Sequence, residues 1–396
     1  MRVAIIGQGY VGLTIAVGAA GAGHKVVGFD ANADLIKALN SGVSHIEGIS
    51  HSALKSFLSN NTYTASADAS MLNGCDVVVI AVPTPLTEAR NPDLSFVHAA
   101  VELIQNNIKS PTLVINESTS YPGTLRKEIA GRISGITHLY ASSPERVDPG
   151  NTQWTTKNTP RLIGGVTPEA VTKAKEFYSS FCDSVIEVSS PEVAEAAKIF
   201  ENTFRQVNIA LVNEFAQIAD ALGISGREVL DAAATKPYGF MEFNPGPGVG
   251  GHCIPVDPTY LAYVANEVGV PATFIKRANE VNLAMPAYVV KRVIAGAGGS
   301  VKGKSVVVVG VSYKANVADT RETPAASIID LLRAAGATVT WHDPLVGSWR
   351  GEESSDLIAS DVAVVVTKHD VVSIADIKKS SYIFDCTGSI AGAEGI

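Results

Sequence analysis

Residues 3–12 read Val3-Ala4-Ile5-Ile6-Gly7-Gln8-Gly9-Tyr10-Val11-Gly12. A short apolar run of strand character enters a turn with glycine at its first, third and sixth positions, and an apolar helix-like segment follows. Asp30 closes the next strand-like run, Lys25 to Phe29, 18 residues beyond Gly12. Each part has a physical task. Gly7 permits the tight turn, Gly9 leaves room for a pyrophosphate against helix N-terminal amides, Gly12 lets helix and strand pack closely, and Asp30 can bind a ribose 2′-hydroxyl. An acid there repels a 2′-phosphate, so the expected ligand is NAD rather than NADP.

Outward from this turn, strand-like runs alternate with helix-like segments: Val77 to Val82, Thr112 to Ile115, His138 to Ala141, Arg161 to Gly164 and Val185 to Val188. That is the pattern of a doubly wound parallel sheet. From about residue 190 the strand pattern stops. Ser189-Ser190-Pro191-Glu192 supplies a serine cap and a first-turn proline, and no breaker follows until Gly223, which predicts one helix of about 32 residues, ~48 Å long. Its Val193, Ala197, Phe200, Phe204, Val207, Leu211, Phe215, Ile218 and Leu222 recur at threes and fours, predicting a buried stripe. A helix of that length outruns one small domain and is expected to join two, and to pack against its copy in a dimer.

After Gly296 to Ser300, read as a linker, the alternation returns through Lys304 to Gly310, Ala337 to His342, Val362 to Thr367 and Tyr382 to Asp385. The expected fold is therefore α/β. Two Rossmann-like doubly wound parallel-sheet domains, 1–189 and 299–396, are joined by a central helical domain, 190–298, with one long helix. The two ends share a layout, VAIIGQGYVG then VVGFDAN against VVVVGVSYKA then VTWHDP. The second copy keeps only Gly310, so only the first is expected to bring its backbone up to a pyrophosphate.

Composition narrows the function classes. The 396 residues are 46% hydrophobic and 18% charged, which suits sheets buried on both faces and a chain of two or three domains. A net charge of -8 makes nucleic acid a poor partner, and an anionic ligand must find local positive charge. The N-terminus lacks the layout of a signal peptide, and the longest apolar runs are strand-sized, far below the roughly 20 residues that span a bilayer. A cytoplasmic protein without membrane partners is expected. Cys75, Cys182, Cys253 and Cys386 are scattered with no C-x-x-C pair, which predicts a reducing compartment, no disulfide framework and no zinc or other metal site.

One cysteine stands apart. Residues 244–257 read NPGPGVGGHCIPVD, a rigid glycine- and proline-rich loop with Cys253 where a helix begins. A thiol near helix N-terminal amides is biased toward the nucleophilic thiolate. The other three cysteines sit in or beside apolar runs and read as core. His252 would be a base partner only in a Cys/His geometry that adjacent residues seldom reach, and it reads as structural. Lys198 and Asn202 stand at i and i+4 on the long helix, where an ammonium and an amide can hold developing oxyanion charge. Val82-Pro83-Thr84-Pro85, Glu117-Ser118-Thr119 and Ser143-Pro144-Glu145 each follow a parallel strand, at the end where such sheets put ligands.

These motifs, in this order and over essentially the whole chain, resemble the UDP-glucose/GDP-mannose dehydrogenase family. The matching stretches are GQGYVG at 7–12, VPTP at 82–85, EST at 117–119, SPER at 143–146, EAAKIFENTFRQVNIALVNE at 195–214, GGHCIPVDP at 250–258 and YKANVADTRETP at 313–324. The resemblance implies two successive NAD-dependent oxidations, alcohol to aldehyde to acid, through a thiohemiacetal and a thioester on the nucleophile Cys253. It implies that Lys198 and Asn202 surround the oxyanion, that Asp257 supports Lys198 and the water, that Glu145 acts in thioester hydrolysis and that Thr119 holds the water or the substrate hydroxyl. Gly7, Gly9, Tyr10, Val11, Gly12, Asp30, Pro83, Thr84, Ser118, Thr119 and Arg321 are then expected at NAD. Glu145, Arg146, Lys198, Asn202, Arg205, Gly246, Gly248, Gly250, Gly251 and Lys314 are expected at a UDP-sugar.

UDP-glucose enzymes of the family usually carry a lysine before the aspartate that follows the nucleophile, and here that place is Val256. With SPERVDPGN and Thr235 to Phe240, this resembles the subgroup acting on UDP-N-acetylhexosamines, UDP-GlcNAc being favoured over UDP-ManNAc or UDP-glucose. Two other readings compete. A two-electron β-hydroxyacid dehydrogenase also pairs a Rossmann domain with a helix bearing lysine and asparagine, but needs neither the cysteine loop nor the last hundred or so residues. A non-catalytic nucleotide-sugar binder has no need of Cys253, Lys198, Asn202 and Glu145 together.

Overall fold

A computed structural model describes every residue except Glu47, residues 148–150, Thr152 and His252, with Cys253 described by its backbone alone. The chain divides into two compact units, residues 1–201 with 263–269, and residues 202–262 with 270–396.

The first unit runs β1 (Arg2–Ile6), α1 (Tyr10–Gly21), β2 (Lys25–Phe29), α2 (Ala33–Asn40), α3 (His51–Ser59), β3 (Tyr63–Ser66), β4 (Val77–Ile80), α4 (Ser95–Asn107), β5 (Leu113–Asn116), β6 (Leu139–Ser142), β7 (Arg161–Gly165), α5 (Pro168–Ser179), β8 (Val185–Glu187) and the start of α6 (Pro191–Leu222). Its sheet has the order β3-β2-β1-β4-β5-β6-β7-β8, parallel throughout except where β7 runs against β6. Val3, Ile5, Val79 and Ile115 on the sheet pack with Leu13 of α1 and Phe177 of α5. The strand order reverses about β1 and β4, and the Gly7 to Gly12 turn leaves the sheet there. β3 is absent from the sequence reading because it is a four-residue edge strand with only Tyr63 and Ala65 buried.

The second unit continues α6 and adds α7 (Gly226–Ala234), most of α8 (Cys253–Glu267), α9 (Thr273–Gly296), β9 (Ser305–Val309), α10 (Pro324–Ala334), β10 (Thr338–His342), a hairpin of β11 (Ser348–Trp349) and β12 (Glu352–Glu353), β13 (Val362–Val365), α11 (Ile374–Ile377), β14 (Tyr382–Asp385) and β15 (Glu394–Gly395). Its five strands are ordered β10-β9-β13-β14-β15 and are all parallel. The expected linker at 296–300 is instead the end of α9 and its cap: Gly298 and Gly299 donate back to the carbonyls of Ala295 and Ile294 at 3.1 and 2.9 Å. Val289, Val290 and Val293 of α9 join Val306, Val308 and Phe384 in one core, so the helix is built into this sheet.

The long helix α6 has the expected 32 residues, but its large apolar stripe faces the other way from the expectation. Within one chain the buried apolar positions include Ala194, Ile199, Ala210, Val212, Ala216 and Ala219, while Phe200, Leu211 and Leu222 stand 63%, 63% and 67% exposed. Small side chains let other elements approach this helix closely, and the large ones are left as an outward ridge. No helix among the described residues is long and apolar enough to cross a membrane.

Candidate functional site

At the carboxyl end of β1 the three glycines do different work. A Cβ on Gly7, whose φ is +94°, would stand 2.4 Å from the Ala81 carbonyl oxygen, and one on Gly12 would stand 1.8 Å from that of Gly7. Both are demanded by the protein's own backbone. A Cβ on Gly9 would meet nothing within 4 Å, so this glycine keeps clear the space in front of the first turn of α1, where Tyr10 and Val11 begin the helix. That clearance fits a dinucleotide pyrophosphate. Asp30 ends β2 and accepts from the amides of Gln8 at 2.8 Å and Asn32 at 2.9 Å, so the acid also braces the glycine turn. Nearby, Ser118 ties the ends of β4 and β5 together, accepting from the Val82 amide at 2.9 Å and donating to its carbonyl at 2.8 Å, with Thr84 buried and Pro83 exposed beside it.

The second Rossmann-like copy uses its acid differently. Asp343 and His369 are fully buried, and Asp343 accepts from Val311 N, Ser312 N, Ser312 Oγ and His369 Nε2 at 2.9, 3.0, 2.9 and 3.0 Å. Burial alone would raise its carboxyl, but hydrogen bonds from His369, Ser312 and Leu345 outweigh it and hold the pKa at about 2. Asp343 is consumed in closing the turn, in keeping with the missing glycines.

The loops after β5 and β6 meet over a buried ion pair. Glu117 and Arg161 approach to 2.8 Å, the Arg161 guanidinium lies 4.5 Å from the Tyr178 ring centroid, and the Tyr178 hydroxyl donates to Glu117. Burial pushes the Glu117 carboxyl up, against the pull of Arg161. The Glu145 amide donates to the Glu117 carbonyl at 3.3 Å, and its carboxylate accepts from the Val147 amide. Arg146 is engaged with Glu201, at 3.2 and 2.7 Å, and with the Pro160 carbonyl at 2.6 Å. Thr119 is half-buried. Sequence reasoning passed over Arg161 and Tyr178, whose only signal is a cation and a phenol inside apolar runs.

Lys198, in the first unit, is buried at 7% exposure, so it is not part of a solvated face. In the second unit, Asn202 Nδ2 donates to the buried Asp257 carboxylate at 2.5 Å. α8 begins at Cys253, which gives that residue the helix N-terminal position expected of it, while its side chain and the whole of His252 lie outside the described residues. So do residues 148–150 of the SPERVDPGN stretch.

The glycine loop ahead of α8 is held by amides that the sequence reading missed. Gly246 N donates to Asn213 Oδ1 at 2.8 Å, Asn213 Nδ2 to Asn282 Oδ1 at 2.9 Å, and Asn282 Nδ2 to the Gln206 carbonyl at 3.2 Å. Their signal was present in α6: Asn202, Gln206 and Asn213 stand at spacings of four and seven, a polar row on one helix face. Farther along, Gly251 N donates to the Arg321 carbonyl at 2.9 Å, and a Cβ on Gly250 would stand 2.7 Å from that of Tyr313. These glycines therefore serve close packing on the 313–324 stretch. That stretch holds Lys314, half-buried, and Arg321, which donates to Asp319 at 2.5 Å. Arg205 is exposed on α6. Cys75, Cys182 and Cys386 are buried, and burial pushes all three thiols up, the inert condition expected of them.

Comparison with known proteins covers nearly the whole chain. Three models of the UDP-glucose/GDP-mannose dehydrogenase family match: the NAD binding domain over residues 1–182, the central domain over 192–284 and the UDP binding domain over 307–391. A UDP-N-acetyl-D-mannosamine dehydrogenase of Pyrococcus horikoshii is 35% identical over 93% of this chain and 90% of its own. A UDP-N-acetyl-D-glucosamine 6-dehydrogenase of Pseudomonas aeruginosa is 36% identical over 88% of this chain and 84% of its own. Among solved structures, that of the UDP-D-ManNAc dehydrogenase from Pyrococcus horikoshii superposes with a TM-score of 0.89 at 33% identity, covering 100% of this chain and 99% of that one.

Proposed function

The chain belongs to the UDP-glucose/GDP-mannose dehydrogenase family and is an NAD-dependent nucleotide-sugar dehydrogenase; from that premise we propose that it oxidises the C6 hydroxyl of a UDP-N-acetylhexosamine to the uronic acid by covalent catalysis at Cys253. The observation that carries this reading is that α8 begins at Cys253, where helix N-terminal amides favour a thiolate. Gly7, Gly9, Tyr10, Val11, Gly12, Asp30, Pro83, Thr84, Ser118, Thr119 and Arg321 would hold NAD, which when bound would supply the hydride acceptor for both oxidations at C6.

The chain's own residues do the rest. Between the oxidations, the Cys253 thiolate adds to the C6 aldehyde carbon, forming a C–S bond and an oxyanion toward which Lys198 and Asn202 donate hydrogen bonds. After the second oxidation, water held by Thr119 adds to the thioester carbon. Its proton passes to Glu145, the C–S bond breaks, and Cys253 leaves as thiolate. Asp257 orients Asn202 through their 2.5 Å hydrogen bond and supports Lys198 and the water. Lys314, Arg146, Arg205 and the backbone of Gly246, Gly248, Gly250 and Gly251 bind the UDP-sugar. The functional division is 1–189 for NAD, 190–298 for dimerisation and catalysis, and 299–396 for UDP.

Val256 in place of the lysine of UDP-glucose enzymes supports an N-acetylated sugar. The names of the two relatives above divide between the gluco and manno epimers, which differ only at C2, and UDP-GlcNAc is the favoured reading from the sequence. Purified protein with NAD, assayed side by side on UDP-GlcNAc, UDP-ManNAc, UDP-glucose and GDP-mannose, tests this. NADH formation on an N-acetylhexosamine, UDP-GlcNAc foremost, is expected, and preference for UDP-glucose or GDP-mannose overturns it.

A further inference from the structure

Arg161 sits where it does because of a break in the sheet's pattern. β7 is antiparallel to β6, with Ser142 opposite Gly164 and Ala141 opposite Gly165. The strand therefore begins at the carboxyl end of β6, and its first residue, Arg161, is delivered among the ligand-facing loops. A parallel strand would have started at the opposite edge of the sheet.

From there Arg161 reaches both loops. It pairs with Glu117 at 2.8 Å, the residue directly before Ser118 and Thr119, and its Nη1 donates to the carbonyl and hydroxyl of Ser143 at 3.3 Å each, two residues before Glu145. The loops also touch directly, Glu145 N donating to the Glu117 carbonyl at 3.3 Å, and Glu117 N ties back to the Ile80 carbonyl at 2.9 Å. The pair is dry, with side chains 4% and 0% exposed, and Tyr178 closes it from α5 by its hydroxyl and its ring face. A buried ion pair is seldom a better stabiliser than apolar side chains of the same volume. Its benefit here lies in placement: one guanidinium nitrogen, Nη1, lies 2.8 Å from Glu117 Oε2 and donates to Ser143, so a single buried cation joins two loops at once, which apolar packing does not do.

We propose that Arg161 is a positioning residue. Through Glu117 and Ser143 it sets the loop bearing Thr119 against the loop bearing Glu145, and thereby the water against its base in thioester hydrolysis. This rests on the roles given to Thr119, Glu145 and Cys253 above. The first oxidation does not use that water, so it depends on the pair only through the NAD and sugar contacts of the same loops and is the less sensitive step.

The test uses the full chain with NAD and whichever of UDP-GlcNAc and UDP-ManNAc it turns over. Two variants are read side by side: Arg161→Lys, which keeps the charge but takes the donor off the planar guanidinium that Tyr178 stacks on, and the double variant Glu117→Leu with Arg161→Met, which leaves no unpaired charge in the core. In the folded variants, release of sugar acid is expected to slow about tenfold to a hundredfold. The first NADH burst slows much less than acid release, and a sugar adduct on Cys253 accumulates in intact-protein mass spectra of quenched reactions. A merely structural role would lower all rates together and leave no adduct. Wild-type acid release in either folded variant overturns the proposal. Glu145→Gln separates the two levels: if it accumulates adduct and the pair variants do not, positioning alone fails, and if it accumulates none, the hydrolysis reading fails and takes the proposal with it.

Discussion

Three glycines in one turn answer to different masters. Gly7 and Gly12 are pressed by backbone oxygens of the protein itself, whereas Gly9, with φ of -69°, faces open space and has a backbone any residue can adopt. Gly9→Ala is therefore expected to leave the thermal midpoint within about 2 °C of wild type while raising KM for NAD about tenfold, because the methyl occupies the pyrophosphate's approach. Gly12→Ala is expected to cost several degrees, since its Cβ would overlap the Gly7 carbonyl. Calorimetry and NADH kinetics on the two proteins check this, and a destabilised Gly9→Ala with unchanged KM would contradict it. The packing roles of Gly7 and Gly12 were legible in the sequence, because a G-x-G-x-x-G between a strand and a helix leaves the backbone few options. The Glu117–Arg161–Tyr178 cluster was not, because its members come from three separated segments and only the antiparallel turn of β7 assembles them.

The helix α6 shows where reading by element succeeds and where it stops. A serine cap, a first-turn proline and the absence of any breaker before Gly223 set its length, and the helix has that length. Periodicity reports that one face is apolar, not what covers it, and within one chain Val193, Phe200, Phe204, Leu211, Ile218 and Leu222 remain exposed. A contiguous apolar ridge of this kind marks an interaction surface, and a second copy of the chain is the proposed cover. Leu211→Asp, 63% exposed and outside the core, is expected to turn a dimer into a folded monomer by light scattering, with unchanged far-ultraviolet dichroism. A wild-type monomer, or a variant that stays dimeric at micromolar concentration, would contradict this. The glycine cluster at 296–300 misled for a related reason: a linker and a helix cap use the same residues, and only packing of Val289 and Val293 into the sheet distinguishes them.

Over the whole chain, two copies of one layout have diverged in the use of a single acid. Asp30 remains half-exposed at a turn with room for a pyrophosphate, while Asp343 is buried under His369 and spent on its own turn. The alternation of strands and helices made this division visible in the sequence; in the structure Lys198 and Asp257 are buried and Asn202 is half-buried. The substrate's C2 substituent was less legible, since it rests on Val256, the SPERVDPGN stretch and Thr235 to Phe240. The claim on which the rest depends is that one thiol carries a four-electron oxidation. NADH and sugar acid measured together in wild type and Cys253→Ser test it most directly. Wild type should release two NADH per acid, and the serine variant should lose acid formation by about two orders of magnitude or more, its second oxidation blocked. Full acid from Cys253→Ser at the wild-type rate, or one NADH per product from wild type, would contradict it.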